Sequence, residues 1–117
     1  MAKIITPDCW VIVKITPKVE GGELHYRVFG GWFGGFGGND AWKMNSGIEQ
    51  VEDCGTHWRF HGHSGSFYDC HKGSEGLRTG YLRGVLLNLH DEASSYAELA
   101  QIDFNHFIKE FNDQDRN

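Results

Sequence analysis

Residues Cys9 to Thr16 read CWVIVKIT. The run is rich in β-branched residues and alternates, with Val11, Val13 and Ile15 on one face. That pattern reads as a strand. Pro17 ends it, because proline cannot donate to a sheet ladder. Gly21-Gly22 marks a turn. Glu23 to Phe29 alternates again, with Leu24, Tyr26 and Val28 inward and His25, Arg27 and Phe29 outward. The two segments read as a β-hairpin. Further on, Ile48 to Asp53 reads as a short strand and Thr56 to Gly62 as a clearer one. Ser66 to His71 makes another, after the turn His63-Ser64-Gly65.

The last third changes period. Leu82, Val85, Leu86 and Leu89 recur at helical spacing, which predicts a helix over Leu77 to His90. Gly80 and Gly84 lie inside it and weaken it. Ser95-x-x-Glu98 has the form of a capping box. Ala100, Phe104, Phe107 and Phe111 follow at helical spacing, with Ile108 beside them. They predict a second amphipathic helix over Tyr96 to Asn112, and Asp113 to Asn117 form a polar tail. The expected fold is α+β: an antiparallel sheet of four to five strands, covered on one face by two C-terminal helices. One domain spans residues 1–117, β-rich over 9–72 and helical over 77–112.

Composition bounds what such a domain does. At 117 residues the chain buries one core without staples. Hydrophobic residues make up 39% and charged residues 23%, as a folded chain requires. The net charge of -5 argues against non-specific binding to duplex DNA, which depends on clustered Lys and Arg. Met1 to Pro7 carry no long apolar run, so no secretory signal is expected. No stretch reaches the roughly 20 apolar residues of a membrane span. Cys9, Cys54 and Cys70 form no tightly spaced pair and read as reduced thiols of a cytosolic protein.

Gly30 to Gly38 read GGWFGGFGG, six glycines around Trp32, Phe33 and Phe36. Trp42 and Asn45 follow closely. A short glycine tract cannot bury that many rings, so the stretch reads as a recognition loop whose aromatics grip a ligand. It is no P-loop, because no Gly-Lys-Ser/Thr ends it. On the strand Thr56 to His63, Trp58 and Phe60 point to the core, and His57, Arg59, His61 and His63 to the other face. If the hairpin shares that sheet, Arg27 and His25 join them in a basic patch on an acidic protein. Arg forks onto oxyanions, and bases stack on aromatics. A small anionic, nucleotide-derived ligand fits this combination. The expected ligand-binding set is Arg27, Trp32, Phe33, Phe36, Trp42, Asn45, His57, Arg59, His61 and His63. Aromatic and Arg side chains are also the favoured anchors of protein interfaces, so a protein partner fits the same residues.

A metal reading competes. Cys54, His57, His61, His63, Cys70 and His71 place six zinc-type ligands in 18 residues, without the usual Cys-x2-Cys spacing. Cys54, His61, His63 and His71 are the set that would hold zinc, in a structural site or a small hydrolase. Gly62-His63-Ser64-Gly65-Ser66 resembles a nucleophile elbow but ends in serine and reads better as a turn. No catalytic residue and no cofactor are expected.

The runs Tyr26-Arg27-Val28-Phe29-Gly30-Gly31-Trp32 and Trp42-Lys43-Met44-Asn45-Ser46-Gly47-Ile48 resemble small accessory proteins of tailed bacteriophages. So does Gly62-x-Ser64-Gly65-Ser66-x-Tyr68-x-Cys70-His71-Lys72. The resemblance spans roughly Trp10 to Leu89. It implies a protein of the host bacterial cytosol that disables a host defence factor, by withholding a small ligand or by docking on a host protein. An oligomeric virion or assembly component is a further possibility.

Overall fold

In the computed structural model, which describes residues 3–34 and 40–114, the CWVIVKIT run is buried on both of its faces. The elements in chain order are β1 (Ile4–Ile5), β2 (Cys9–Pro17), β3 (His25–Trp32), β4 (Ala41–Met44), β5 (Ile48–Asp53), β6 (His57–Gly62) and β7 (Phe67–His71). A 3-10 turn at Lys72–Ser74 leads to α1 (Gly80–Ala93), β8 (Ala97–Ile102) and α2 (Phe104–Gln114). The α+β class is as expected. The strands are divided between two sheets, where the sequence suggested one. The first sheet runs β4-β3-β2-β8 and is antiparallel throughout. The second runs β1-β7-β6-β5, antiparallel except for the β1–β7 pair.

The period of two in β2 separates two cores. Trp10 and Ile12 face the second sheet and α2, packing with Tyr26, Val28, Phe60, Tyr68, Phe104 and Phe107. Cys9, Val11, Val13 and Ile15 face α1, packing with Phe29 and Leu82. The two helices therefore lie on opposite faces of the first sheet. The expectation of both helices on one face is corrected by β2 itself, whose alternate residues are apolar on both sides.

Aromatic rings fill the core between the sheets. Trp10 lies 5.6 Å from Phe60, and Tyr26 lies 5.1 Å edge-on from Phe107. Such pairs each add about 0.5–1.5 kcal/mol beyond their buried area. Trp10 Nε1 donates to the His71 carbonyl at 2.8 Å, which satisfies its one polar atom and ties β2 to β7. Lys14, the polar residue on this face of β2, reaches α2 and donates to Glu110 at 2.7 Å. The Tyr26 hydroxyl donates to the same carboxylate at 3.1 Å. Burial, reinforced by Glu110, pushes the Tyr26 hydroxyl up to about 12.

Both helix boundaries shift from expectation. The α1 N-cap is Thr79, whose Oγ1 accepts from Leu82 N at 3.2 Å. Ala97 to Ile102 is not the start of a helix. It is an edge strand that pairs with β2 from Ile12↔Ile102 to Pro17↔Ala97. The segment expected to be helical throughout thus contains β8. Among the described residues the side chains of Ser95 and Glu98 cap no helix. The α2 cap is Asp103, whose Oδ1 accepts from His106 N at 2.8 Å. The polar tail from Asp115 to Asn117 lies outside the described residues, as do Met1, Ala2 and residues 35–39. Among the described residues no helix is long and apolar enough to cross a membrane.

Two glycines make the packing testable with opposite signs. A Cβ at Gly31 would fall onto the fully buried Leu82 side chain. A Cβ at Gly84, inside α1, would meet open space. Gly31→Ala should cost about 1–3 kcal/mol by overpacking. Gly84→Ala should add about 0.5–1 kcal/mol by restricting the unfolded chain and favouring the helix. Chemical denaturation of both variants checks the pair; a stable Gly31→Ala protein would contradict the packing of α1 on β3.

Candidate functional site

Three places draw on the expected site residues, and the fold keeps them apart. The first is a groove beside α1. The helix begins over Gly31, where Leu82 packs, and covers β2 and β8. It leaves part of β3 and β4 uncovered on the same face. Between its C-terminal half and β3 lies an open groove of about 660 Å³. Ile15, Met44, Leu89, Ala97 and Leu99 give it an apolar lining, while His25 and Arg27 supply its basic groups and Glu23 and Glu92 its acids.

Arg27 and His25 act as a unit. They alternate to this face of β3 because Tyr26 and Val28 are claimed by the inter-sheet core. The Glu23 carbonyl can only accept, so His25 Nδ1 donates to it at 3.0 Å. Nε2 is then the acceptor for Arg27 Nε at 3.1 Å. The imidazole orients the guanidinium and takes one of its N–H groups. Among the described residues no carboxylate pairs with Arg27.

The second place is the outer face of the second sheet. His57, Arg59 and His61 lie side by side there, as the alternation of β6 requires, with Trp58 and Phe60 turned to the core. Trp58 stacks on Phe104 at 4.2 Å. The expected basic patch does not form, for two reasons. Arg27 and His25 belong to the other sheet. The register also brings a carboxylate to each basic group from the neighbouring strand. Arg59 is opposite Asp69 and donates to it twice, at 2.7 and 2.9 Å. His57 Nε2 lies 3.6 Å from the same carboxylate. His61 meets Glu52 at 3.1 Å and His63 meets Glu49 at 2.7 Å. The Arg59 guanidinium holds the Asp69 carboxyl below the usual carboxylate range, against the opposing effect of burial.

The same register disperses the metal set. Cys54 sits in the β5–β6 turn, His61 and His63 face separate acids, and His71 Nδ1 accepts from Gly73 N at 3.0 Å. Cys70 is buried in the inter-sheet core, and burial pushes its thiol well above the ordinary value. Among the described residues no three His, Cys, Asp or Glu side chains come together as a metal site.

The third place is the flank of the glycine-rich segment. Trp32 is half-buried and donates from Nε1 to the Thr6 carbonyl at 3.0 Å. Phe33 N donates to Asp8 Oδ2 at 3.1 Å, and its ring is exposed. Phe36 lies outside the described residues. Trp42 stacks on Phe29 at 5.5 Å and is 37% exposed. It shares the α1 face of the sheet with Met44, and so extends the groove side of β4. Asn45 is not a surface ligand group. It is buried, and its Oδ1 accepts from Val28 N at 2.8 Å, joining the chain after β4 to β3. Of the expected ligand residues, then, Arg27 lines the groove and Trp42 flanks it. Groove residues outside the expected set include Ile15, Glu23, Met44, Leu89, Glu92, Ala97 and Leu99. Leu99 was hidden by the helical reading of β8.

No protein-family model, no curated protein and no solved structure matches this chain.

The Asp69–Arg59 pair carries a pH dependence with a definite sign. Asp69 has a lowered folded-state value, so its contribution to stability is complete above the unfolded aspartate value of about 3.9 and is lost as pH falls through the lower folded value. The melting-temperature gap between the natural protein and Asp69→Asn should therefore be widest near neutral pH and shrink below about pH 3.9. A gap that stays constant on acidification would show that the pair contributes nothing specific.

Proposed function

We propose that the chain is a non-enzymatic binding protein that sequesters one small anionic ligand in the groove between α1 and β3. The observation that carries this reading is Arg27. It is a guanidinium in an apolar groove, oriented by His25 and without a carboxylate partner among the described residues. The volume of about 660 Å³ falls in the range of small-molecule sites. An apolar lining with few polar groups is the usual composition of such sites. One free Arg suits one oxyanion; the apolar walls suit a flat or aliphatic body. A nucleotide-derived signal is the specific form of this proposal, its base directed toward the face that Trp42 shares with Met44. The resemblance to tailed-phage accessory proteins supplies the setting, a host cytosol in which withholding the ligand disables a defence factor.

A second reading, docking on a host protein, draws on the exposed rings of Phe33 and Trp42 at the two ends of the glycine-rich segment. Aromatic residues in such positions anchor interfaces.

Native mass spectrometry of the full chain from a bacterial host separates the two. Sequestration gives an added small-molecule mass that is lost on denaturation. Arg27→Met should remove that mass and weaken binding of the recovered ligand by at least about tenfold, the worth of a charge-assisted hydrogen bond. The variant's thermal melt should be unchanged, since among the described residues Arg27 pairs with no carboxylate. An unliganded natural protein, or an adduct that Arg27→Met retains, would defeat the groove reading.

A further inference from the structure

The other flank of α1 faces a free sheet edge. The first sheet ends on β8, which among the described residues pairs with β2 and with no other strand. Exposed edges are ordinarily protected by charge, bulges or shortness. The other three edges here follow that rule. β5 carries Glu49, Glu52 and Asp53 and an irregular register between Ile48 and Gln50. β4 has four residues, with Lys43 among them, and β1 has two. β8 has six residues, AELAQI, with one acid, no base, no proline and an unbroken ladder to β2. Beside it Leu77, Leu86 and Leu87, with Arg83 and His90, flank a shallow groove of about 330 Å³ over Leu99. Leu87 is 63% exposed. An unprotected edge beside an apolar flank marks a surface that is covered.

The charge pattern says by what. Arg83, Leu87 and Asp91 are spaced by four residues and share one line along α1. Arg83 donates to the Leu77 carbonyl at 2.9 Å and has no carboxylate partner among the described residues. The Asp91 side chain is 76% exposed, and among the described residues its carboxylate meets only the neighbouring His90 ring, at 3.4 Å. Basic, apolar, acidic about a central leucine is a row complementary to its own antiparallel copy. A two-fold axis beside β8, perpendicular to the sheet, sets β8 antiparallel to its copy and the two α1 helices antiparallel above them. Arg83 then meets Asp91 of the partner subunit, twice by symmetry, and Leu87 meets Leu87 of the partner subunit. Closed two-fold interfaces require that self-complementarity.

We propose that the chain forms a two-fold homodimer by antiparallel pairing of its β8 edges, joining two four-stranded sheets into one continuous sheet with α1 packed against its copy at Leu87. The interface lies on the opposite flank of α1 from Arg27 and does not depend on what fills the groove there.

Sedimentation equilibrium of the full chain over a concentration series tests this. The natural protein should sediment as a dimer. Leu87→Glu should sediment as a monomer with native circular dichroism, because Leu87 is exposed in the single chain. Arg83→Asp and Asp91→Arg should each weaken association by about tenfold or more, since each sets like charges opposite one another. The two reversals combined should restore it. A natural protein that is monomeric throughout, including one that captures a foreign strand at β8, overturns the proposal. So does a dimer that survives Leu87→Glu, or a double reversal as weak as either single one.

Discussion

β2 must be buried on both faces, and the rest of the architecture follows from that. A strand with Trp10 and Ile12 on one side and Val11, Val13 and Ile15 on the other cannot be covered from one direction. One face takes the second sheet and α2, whose aromatic rings fill the space around Trp10. The other takes α1. A single helix of 14 residues is too narrow to roof a four-stranded sheet, so β3 and β4 are left partly open on that side. The groove at Arg27 is this uncovered strip. The site thus arises from unequal cover on the two faces, and the Lys14–Glu110–Tyr26 contact holds the better-covered face together.

Electrostatics then distinguishes Arg27 from the basic residues that pair with acids. Arg59 is held by Asp69, Lys14 by Glu110 and Lys72 by Asp53. Each pair is satisfied internally and offers little to an incoming anion. Arg27 is steadied by a ring nitrogen, which orients it without neutralising it. A charge fixed in place and left unneutralised, beside apolar walls, is what recognition of a small anion requires. Glu23 and Glu92 line the same groove, so the proposed ligand is one of low total charge.

The sequence was legible where local pattern decides structure. The β2–β3 hairpin, the inward Trp58 and Phe60 and the apolar stripe of α1 were all readable from period alone. The failures have physical causes. Ala97 to Ile102 has a helical pattern because Ala100 extends the spacing of Phe104, Phe107 and Phe111, and because Ser95 and Glu98 imitate a cap. Pairing with β2 outweighed those local signals, and Asp103 capped the helix instead. Alternation puts His57, Arg59 and His61 on the outer face of β6, as the structure does, but says nothing of what neutralises them. The neutralising acids Asp69 and Glu52 come from β7 and β5; only the register sets both opposite Arg59, with Glu52 one diagonal step from His61. The groove was illegible for a further reason: its lining comes from β2, β3, β4, β8 and α1, and no local pattern marks where a helix stops covering a sheet.

The most direct test of this account is a nuclear Overhauser spectrum of the labelled protein, read at two places. With α1 and α2 on opposite faces of the first sheet, Leu82 methyl groups should show contacts to the Gly31 α-protons, and the Phe107 ring to the Tyr26 ring. No contact should link Leu82 to Phe104 or Phe107. Contacts between Leu82 and either phenylalanine would put both helices on one face, close the strip over Arg27, and contradict the account at its foundation.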